Sequence, residues 1–283
     1  MQRFYPLLFV FLWSTGFVGA KFGLPYAEPL SFLVTRYGLV IVLMLGLSLL
    51  TRAPWPKRWQ DYGHIGVTGL LVQCTYLAGV FTAIKQGLSA GEIALVVGMQ
   101  PLLTGVLSGL LLGEPVTRRQ WAGLILGLVG VILVVSGKSS GQVTVSMLAP
   151  ALMALSGITL GTLYQKRFCP HFDLRTGSVI QFLPSAVVTG FLLLLLEDYQ
   201  ISWTGEFLFA LGWLVLVLSI GAIGLLNLLI RSGSAVNVAS LFYLTPLTTA
   251  LIAWAVFGET LSMMAMLGMV IAVTGVYQVV RRP

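Results

Sequence analysis

Charge is what this chain has least of. Only 9% of its 283 residues are Asp, Glu, Lys or Arg, against about 25% in a soluble domain. So few charges cannot coat a soluble fold, and that class is excluded. Two cysteines, Cys74 inside an apolar run and Cys169 at the end of another, give neither a disulfide framework nor a metal spacing. No P-loop, HExxH or GxSxG motif is present, and His64 and His171 have no paired metal-ligand cluster. The expectation is therefore no enzyme, no cofactor and no metal. The first apolar stretch lacks a small-residue cleavage site and more such stretches follow it, so it reads as a first membrane span rather than a signal peptide.

What the chain does have is apolar length. It is 57% hydrophobic, with a mean hydropathy of +0.95. The apolar runs are unbroken, whereas a membrane β-barrel strand alternates polar and apolar residues. At about 20 residues per crossing, ten spans are expected, near 4–22, 30–51, 62–84, 89–113, 118–137, 145–166, 174–196, 207–230, 235–258 and 262–280. The connections leave no room for a soluble domain.

The net charge of +7 would suggest nucleic acid in a soluble protein, but its placement follows the spans. With the N-terminus inside, Arg3, Arg52, Lys57, Arg58, Arg118, Arg119, Lys166, Arg167, Arg175, Arg231, Arg281 and Arg282 fall on the cytoplasmic side, and only Lys21, Lys85 and Lys138 fall outside. That asymmetry predicts cytoplasmic termini and no nucleic-acid partner.

Residues 89–135 and 234–280 align without a gap at an offset of 145, with 13 of 47 positions identical. Pro101 matches Pro246, Gly113 matches Gly258, Glu114 matches Glu259, Gly123 matches Gly268 and Gly130 matches Gly275. Five spans per repeat is an odd number, so the second repeat enters the membrane from the opposite side. The expected architecture is all-α, with inverted five-helix repeats over residues 1–138 and 139–283 and a site where they meet.

The LWSTGFVGAKFG opening (residues 12–23) and the GEP (113–115) and GET (258–260) ends of spans 4 and 9, set in this arrangement, resemble the drug/metabolite transporter superfamily. The closest branch is its EamA-like ten-span transporters, which include amino-acid and metabolite exporters. The resemblance covers essentially the whole chain. It implies a small-molecule substrate and a central cavity lined by spans 1, 3, 4, 6, 8 and 9.

The candidate site residues are polar or aromatic groups near mid-span: Trp13, Ser14, Gln73, Tyr76, Met99, Gln100, Ser156, Asn227 and Tyr243, with Thr245 beside Pro246. Each buried polar group needs a partner, and helix-to-helix bonding competes with substrate contact as the reason for it. Pro101 and Pro246 remove a backbone donor and kink their helices, either for packing or to line a cavity. Arg36 lies about 9 Å into span 2 at 1.5 Å per residue. It is a functional candidate, or it snorkels outward or ties up carbonyls and Glu92. Glu114 and Glu259 read as structural charges beside helix starts, with Thr117–Gln120 a capping box for span 5 and Ser262 the equivalent cap on span 10. The glycines of spans 5 and 6 read as close packing. Trp55 and Trp59 read as interfacial anchors. No carboxylate sits at mid-membrane, and Glu92, the deepest, is only about one turn into span 4, so a single buried proton-carrying carboxylate is not expected.

The resulting expectation is a secondary transporter, working as a monomer in the lipid bilayer by alternating access. Amino acids are the first choice of cargo and export the direction. A drug or amphiphile exporter is the alternative, and a membrane enzyme or scaffold the more remote one.

Overall fold

Ten helical segments follow one another among the described residues. A computed structural model describes residues 4–135, 144–257 and 262–280. Arg3, Lys138, Gly258, Glu259, Thr260, Arg281 and Arg282 lie outside them. The spans are α1 (Tyr5–Gly23), α2 (Pro29–Leu50), α3 (Trp59–Lys85), α4 (Ala90–Val97 and Gln100–Leu112) and α5 (Arg118–Val135). They continue as α6 (Val145–Phe168), α7 (Leu174–Leu196), α8 (Gly205–Ser232), α9 (Ala235–Ser240 and Leu244–Phe257, joined by a 3₁₀ turn at Leu241–Tyr243) and α10 (Met263–Val280). Nine segments of the described residues are long and apolar enough to cross a membrane. The 18-residue α5, which opens on Arg118 and Arg119, is the tenth helix. The protein is a multi-pass membrane protein, and the apolar residues on its outer surface, such as Leu50, Leu110 and Leu194, have lipid as their natural solvent.

The start and stop signals are local. Pro occupies the first turn of α1 and of α2, where its missing N–H costs nothing. Thr117 and Gln120 close the expected capping box at the head of α5, and Ser262 caps α10 through the Ala265 N–H. Gly113 ends α4 with a φ of +67°, a left-handed conformation that a side chain would strain.

The packing has a regularity that local signals do not explain. Helix α2 packs on α7 and α5 on α10. Helix α6 packs on α3 and α4, and α1 packs correspondingly on α8 and α9. Exchanging the first five helices with the last five maps each of these pairs onto itself or onto another of them. The α5–α10 contact is close: a Cβ on Gly268 would fall 2.6 Å from the Gly130 carbonyl oxygen, so the two backbones touch and glycine is required. This is the close helix packing that the spacing of Gly123, Gly127 and Gly130 predicts.

The irregular turns recur at matching places. Leu70–Thr75 in α3 and Leu214–Ala222 in α8 are π-helical. Shifting the first by 145 positions lands inside the second. The break in α4 at Gly98–Met99 corresponds likewise to the 3₁₀ turn of α9. Pro101 sits in the first turn after its break. Its ring cannot donate to the preceding turn, so the helix restarts there. The π segments were not foreseen from the sequence.

Candidate functional site

Where the two halves meet, α1, α2, α3 and α8 enclose a cavity of about 30 Å³. Trp13, Phe17, Tyr76, Phe81 and Leu218 form apolar and aromatic walls, and Arg36 is the charge on its surface. Trp13 and Tyr76 stack with ring centroids 5.9 Å apart and planes 19° from parallel. Trp13 also meets Phe242 of α9 edge-on at 5.2 Å. The cavity borders the π segment of α8, and such segments widen a helix locally and often mark functional sites.

Arg36 decides the character of this cavity. It is only 2% exposed. Its Nε donates to the Ser219 hydroxyl at 2.9 Å, and Ser219 in turn donates to the Leu214 carbonyl at 3.1 Å, a bond five residues back that the π turn frees. Among the described residues no carboxylate pairs with Arg36. Glu92, considered as its partner from sequence, instead closes a capping box with Ser89 at the head of α4. Arg36 therefore does not snorkel to the surface, and it keeps its charge, since a guanidinium is not deprotonated in proteins.

A second polar cluster lies nearer the face where α4 and α6 end. Gln100 Nε2 donates to Thr162 Oγ1 at 3.3 Å, and Gln165 Nε2 donates to Asn227 Oδ1 at 3.0 Å. Gln100 Oε1, Thr104 Oγ1, Asn227 Nδ2 and the Tyr243 hydroxyl are buried there or nearby without a partner. Gln100, Thr162 and Lys166 line a space of about 10 Å³. That face is tied shut. Glu114 accepts from the Ala235 N–H at 3.0 Å, and Lys166 Nζ lies 3.7 Å from Glu114 and donates to the carbonyls of Ile230 and Gly233. Glu114 thus caps the start of α9 across the molecule rather than the neighbouring α5. On the opposite face Lys85 pairs with Glu28 at 2.9 Å, and the Glu197 carboxylate accepts from the N–H groups of Leu30, at 3.0 Å, and of Ser31.

The residues singled out from the sequence do not fall in one place. Trp13, Arg36 and Tyr76 line the cavity. Gln100 and Asn227 belong to the second cluster, and Tyr243 packs its ring over Gly127 of α5, so Trp13, Tyr76, Gln100 and Tyr243 do not share one space here. Ser14 is helix-to-helix bonding, its hydroxyl meeting the carbonyls of Val10 at 2.7 Å and Thr245 at 3.2 Å. Gln73 is fully buried with both side-chain polar atoms unpartnered, while its carbonyl accepts from the Tyr37 hydroxyl. Met99 and Ser156 are corrections: Met99 is 39% exposed, and Ser156 is exposed and returns its hydroxyl to the Leu152 carbonyl at 2.9 Å. The side of the helix could not be read from the sequence, because apolar runs carry no polar stripe to show which side faces inward.

Three residues of the two clusters escaped the sequence reading. Ser219 is a lone hydroxyl in the middle of the most apolar span, a signal that was available. Thr162 and Gln165 lie one and two turns beyond Gly157–Ile158 on α6 and were hidden by their distance from mid-span.

The cavity is much smaller than the 300–1,000 Å³ usual for a ligand pocket. Its volume is room for about two waters. Any metabolite therefore requires α1 and α8 to part from α2 and α3.

Comparison with known proteins agrees over the full length. The pattern of the EamA-like transporter family matches residues 4–136 and again 146–281. A protein of Salmonella typhimurium named "Probable amino-acid metabolite efflux pump" is 28% identical, over 97% of this chain and 93% of its own. The Escherichia coli K12 protein of the same name is 26% identical, over 96% and 92%. The uncharacterised transporter YvbV of Bacillus subtilis is 28% identical, over 94% and 87%. One solved crystal structure superposes with a TM-score of 0.77 at 18% identity, over 97% of this chain and 95% of that one.

Proposed function

The chain belongs to the EamA-like transporter family, and on that premise we propose that it is a secondary transporter that exports a small metabolite of the amino-acid class by alternating access. The observation that carries this reading is the contracted cavity between the halves, with a buried arginine and an aromatic wall and with a tied turn at each face. Two inverted repeats, residues 1–138 and 139–283, supply two alternative packings related by a pseudo-two-fold axis in the membrane plane, one open to each side. The names of the Salmonella and Escherichia relatives support the cargo class. The charge asymmetry of the loops supports cytoplasmic termini in a bacterial-type plasma membrane. The protein acts as a monomer without cofactor, and no step of covalent chemistry is part of the reading.

Exchange or facilitated diffusion is the simplest energetic scheme. A proton carrier needs a carboxylate exposed to each side in turn, and Glu92 is engaged in capping α4. The test is counterflow of a labelled amino-acid panel in proteoliposomes at equal pH, with wild type and Glu92→Gln. Robust counterflow in both is expected. Accumulation driven by a pH gradient and abolished by Glu92→Gln would overturn the energetic part. Broad transport of hydrophobic drugs with no amino-acid-type substrate would replace the cargo class with the amphiphile alternative, which the aromatic wall would also suit.

A further inference from the structure

Resting on the transporter reading, the charge inside the cavity narrows the cargo. Arg36 is a fixed cation at 2% exposure, with Ser219 holding one edge through Nε. The guanidinium fork carries four further N–H donors, on Nη1 and Nη2, and no hydrogen bond or ion pair to them is formed among the described residues. The other described residues on the cavity surface, Trp13, Phe17, Tyr76, Phe81 and Leu218 among them, bring no carboxylate. A buried cation without a counter-ion is unfavourable until an anion arrives, and a planar fork matches a carboxylate with two parallel bonds.

We propose that the preferred substrate is an apolar monocarboxylate without a free ammonium group, such as the 2-oxo acid or N-acyl derivative of a hydrophobic amino acid, its carboxylate on Arg36 and its apolar body against Trp13, Tyr76 and Leu218. A monoanion neutralises the site. A zwitterion brings an ammonium close to the guanidinium, where the walls give it no carboxylate to pair with, and like charges in a low-dielectric cavity repel strongly. A substrate with an amine and no carboxylate meets only repulsion. The free amino acid is therefore the poorer cargo of the same class.

The experiment uses three molecules with one side chain: leucine, its 2-oxo acid 4-methyl-2-oxopentanoate, and leucine amide. N-acetylleucine separates the two sources of the anion, oxo acid and acyl derivative. Each is tested for counterflow in proteoliposomes, and for the shift it causes in the melting temperature of the detergent-solubilised protein, with wild type, Arg36→Lys and Arg36→Gln. The expected order in wild type is oxo acid or N-acyl derivative first, by roughly tenfold or more over leucine, the cost of holding its ammonium beside the guanidinium at low dielectric, with leucine amide last. Arg36→Lys keeps the preference for the anion but weakens binding, because a point charge replaces the fork. Arg36→Gln removes the discrimination between leucine and its oxo acid. Leucine equal to or better than both anions in wild type overturns the proposal while leaving the transporter reading intact. Retained discrimination in Arg36→Gln also overturns it. Exchange of none of the four removes the amino-acid class itself, and this inference with it. The wild-type ratio decides the matter even if Arg36→Gln does not fold.

Discussion

The cavity around Arg36 has a counterpart 145 positions on, and the two differ in charge and in packing. Arg36 corresponds to Gln181, Ser219 to Cys74, Trp13 to Ile158, and Gly16 to Gly161. In one place a guanidinium bonds a hydroxyl beside open space. In the other, Gln181 is buried with its Oε1 unpartnered, and Cys74 accepts a weak bond from the Thr189 hydroxyl at 3.4 Å. The glycines show the same contrast. A Cβ on Gly16 would meet the tip of Leu218, at 2.9 Å from Cδ1, whereas one on Gly161 would lie 3.0 Å from Leu71 Cβ and against Val72. On one side the neighbour is the movable end of a side chain bordering a cavity. On the other, α6 is pressed onto the π segment of α3. A duplicated scaffold thus carries one charged, loose junction and one neutral, tight junction, and the loose one is where the proposed substrate would bind once the helices part.

Matched substitutions test that contrast most strongly at the charged position. Arg36→Leu is expected to reduce exchange of a carboxylate substrate by roughly tenfold to a hundredfold, the value of a lost charge-assisted pair, while leaving the melting temperature unchanged or higher, since an unpaired buried charge is removed. Gln181→Leu removes only a half-satisfied amide and should leave exchange within roughly twofold and stability neutral or improved. Equal loss of exchange in both variants, measured in proteoliposomes, would break the comparison.

The glycine pair gives the next largest effect. Gly161→Ala forces a methyl against Val72 and should cost about 1–3 kcal/mol, the range for overpacking, read as a lower denaturant midpoint in detergent. Gly16→Ala should cost less than about 1 kcal/mol, because Leu218 can turn away into the cavity. A larger penalty at Gly16 would mean that the α1–α8 junction is the tight one.

Ser219→Ala sharpens the comparison through a single bond. It removes the acceptor for Arg36 Nε, at a cost of about 1.5–3 kcal/mol if the bond is kept throughout transport, and the mate substitution Cys74→Ala should cost no more than about 1 kcal/mol beyond lost packing. Thermal melts of the two variants side by side distinguish them.

The smallest effect is in the pH response of the helix starts. Glu28 and Asp173 are mates, yet α7 is capped by its own Asp173, through the Arg175 N–H at 2.9 Å, whereas α2 is capped from across the molecule by Glu197. The bonds from Arg175 hold Asp173 below its ordinary value of 3.8. Its contribution is present above that value and is lost as pH falls through the lowered one. Burial raises Glu197 above 4.5, against the opposing pull of the Leu30 and Ser31 N–H groups. For this group the folded state prefers the neutral form, so stability is gained as pH falls through its raised value. The stability difference between wild type and Asp173→Asn should therefore shrink only below about pH 3.8. Any advantage of Glu197→Gln at neutral pH should shrink already above pH 4.5. Melting temperatures between pH 3 and 7 check both signs.

Much of the architecture was legible from composition and spacing alone. Bilayer thickness dictates span length, so apolar runs near 20 residues locate all ten helices to within a few positions. A proline cannot continue the ladder behind it, so Pro101 and Pro246 announce broken helices. Thr117–Gln120 announces a start, and the 145-residue offset announces two halves. Sequence also marked Arg36 as exceptional, because a charge inside an apolar run is costly wherever it ends up.

Only the tertiary structure decided which side of each helix faces inward, and with it the site. Ser156 and Ser219 are both serines near mid-span that bond back to their own helix; one sits at the exposed surface and the other also holds Arg36. Nothing local separates them, since a helix surrounded by lipid or by other helices is apolar on both sides. The partner of Arg36 lies 183 positions away, and Glu114 turned out to cap a helix 121 positions on rather than the next one. Such pairings are set by how the two halves dock. The π segments belong with them: they are made by packing between helices, because a π turn has no advantage of its own in an isolated apolar stretch.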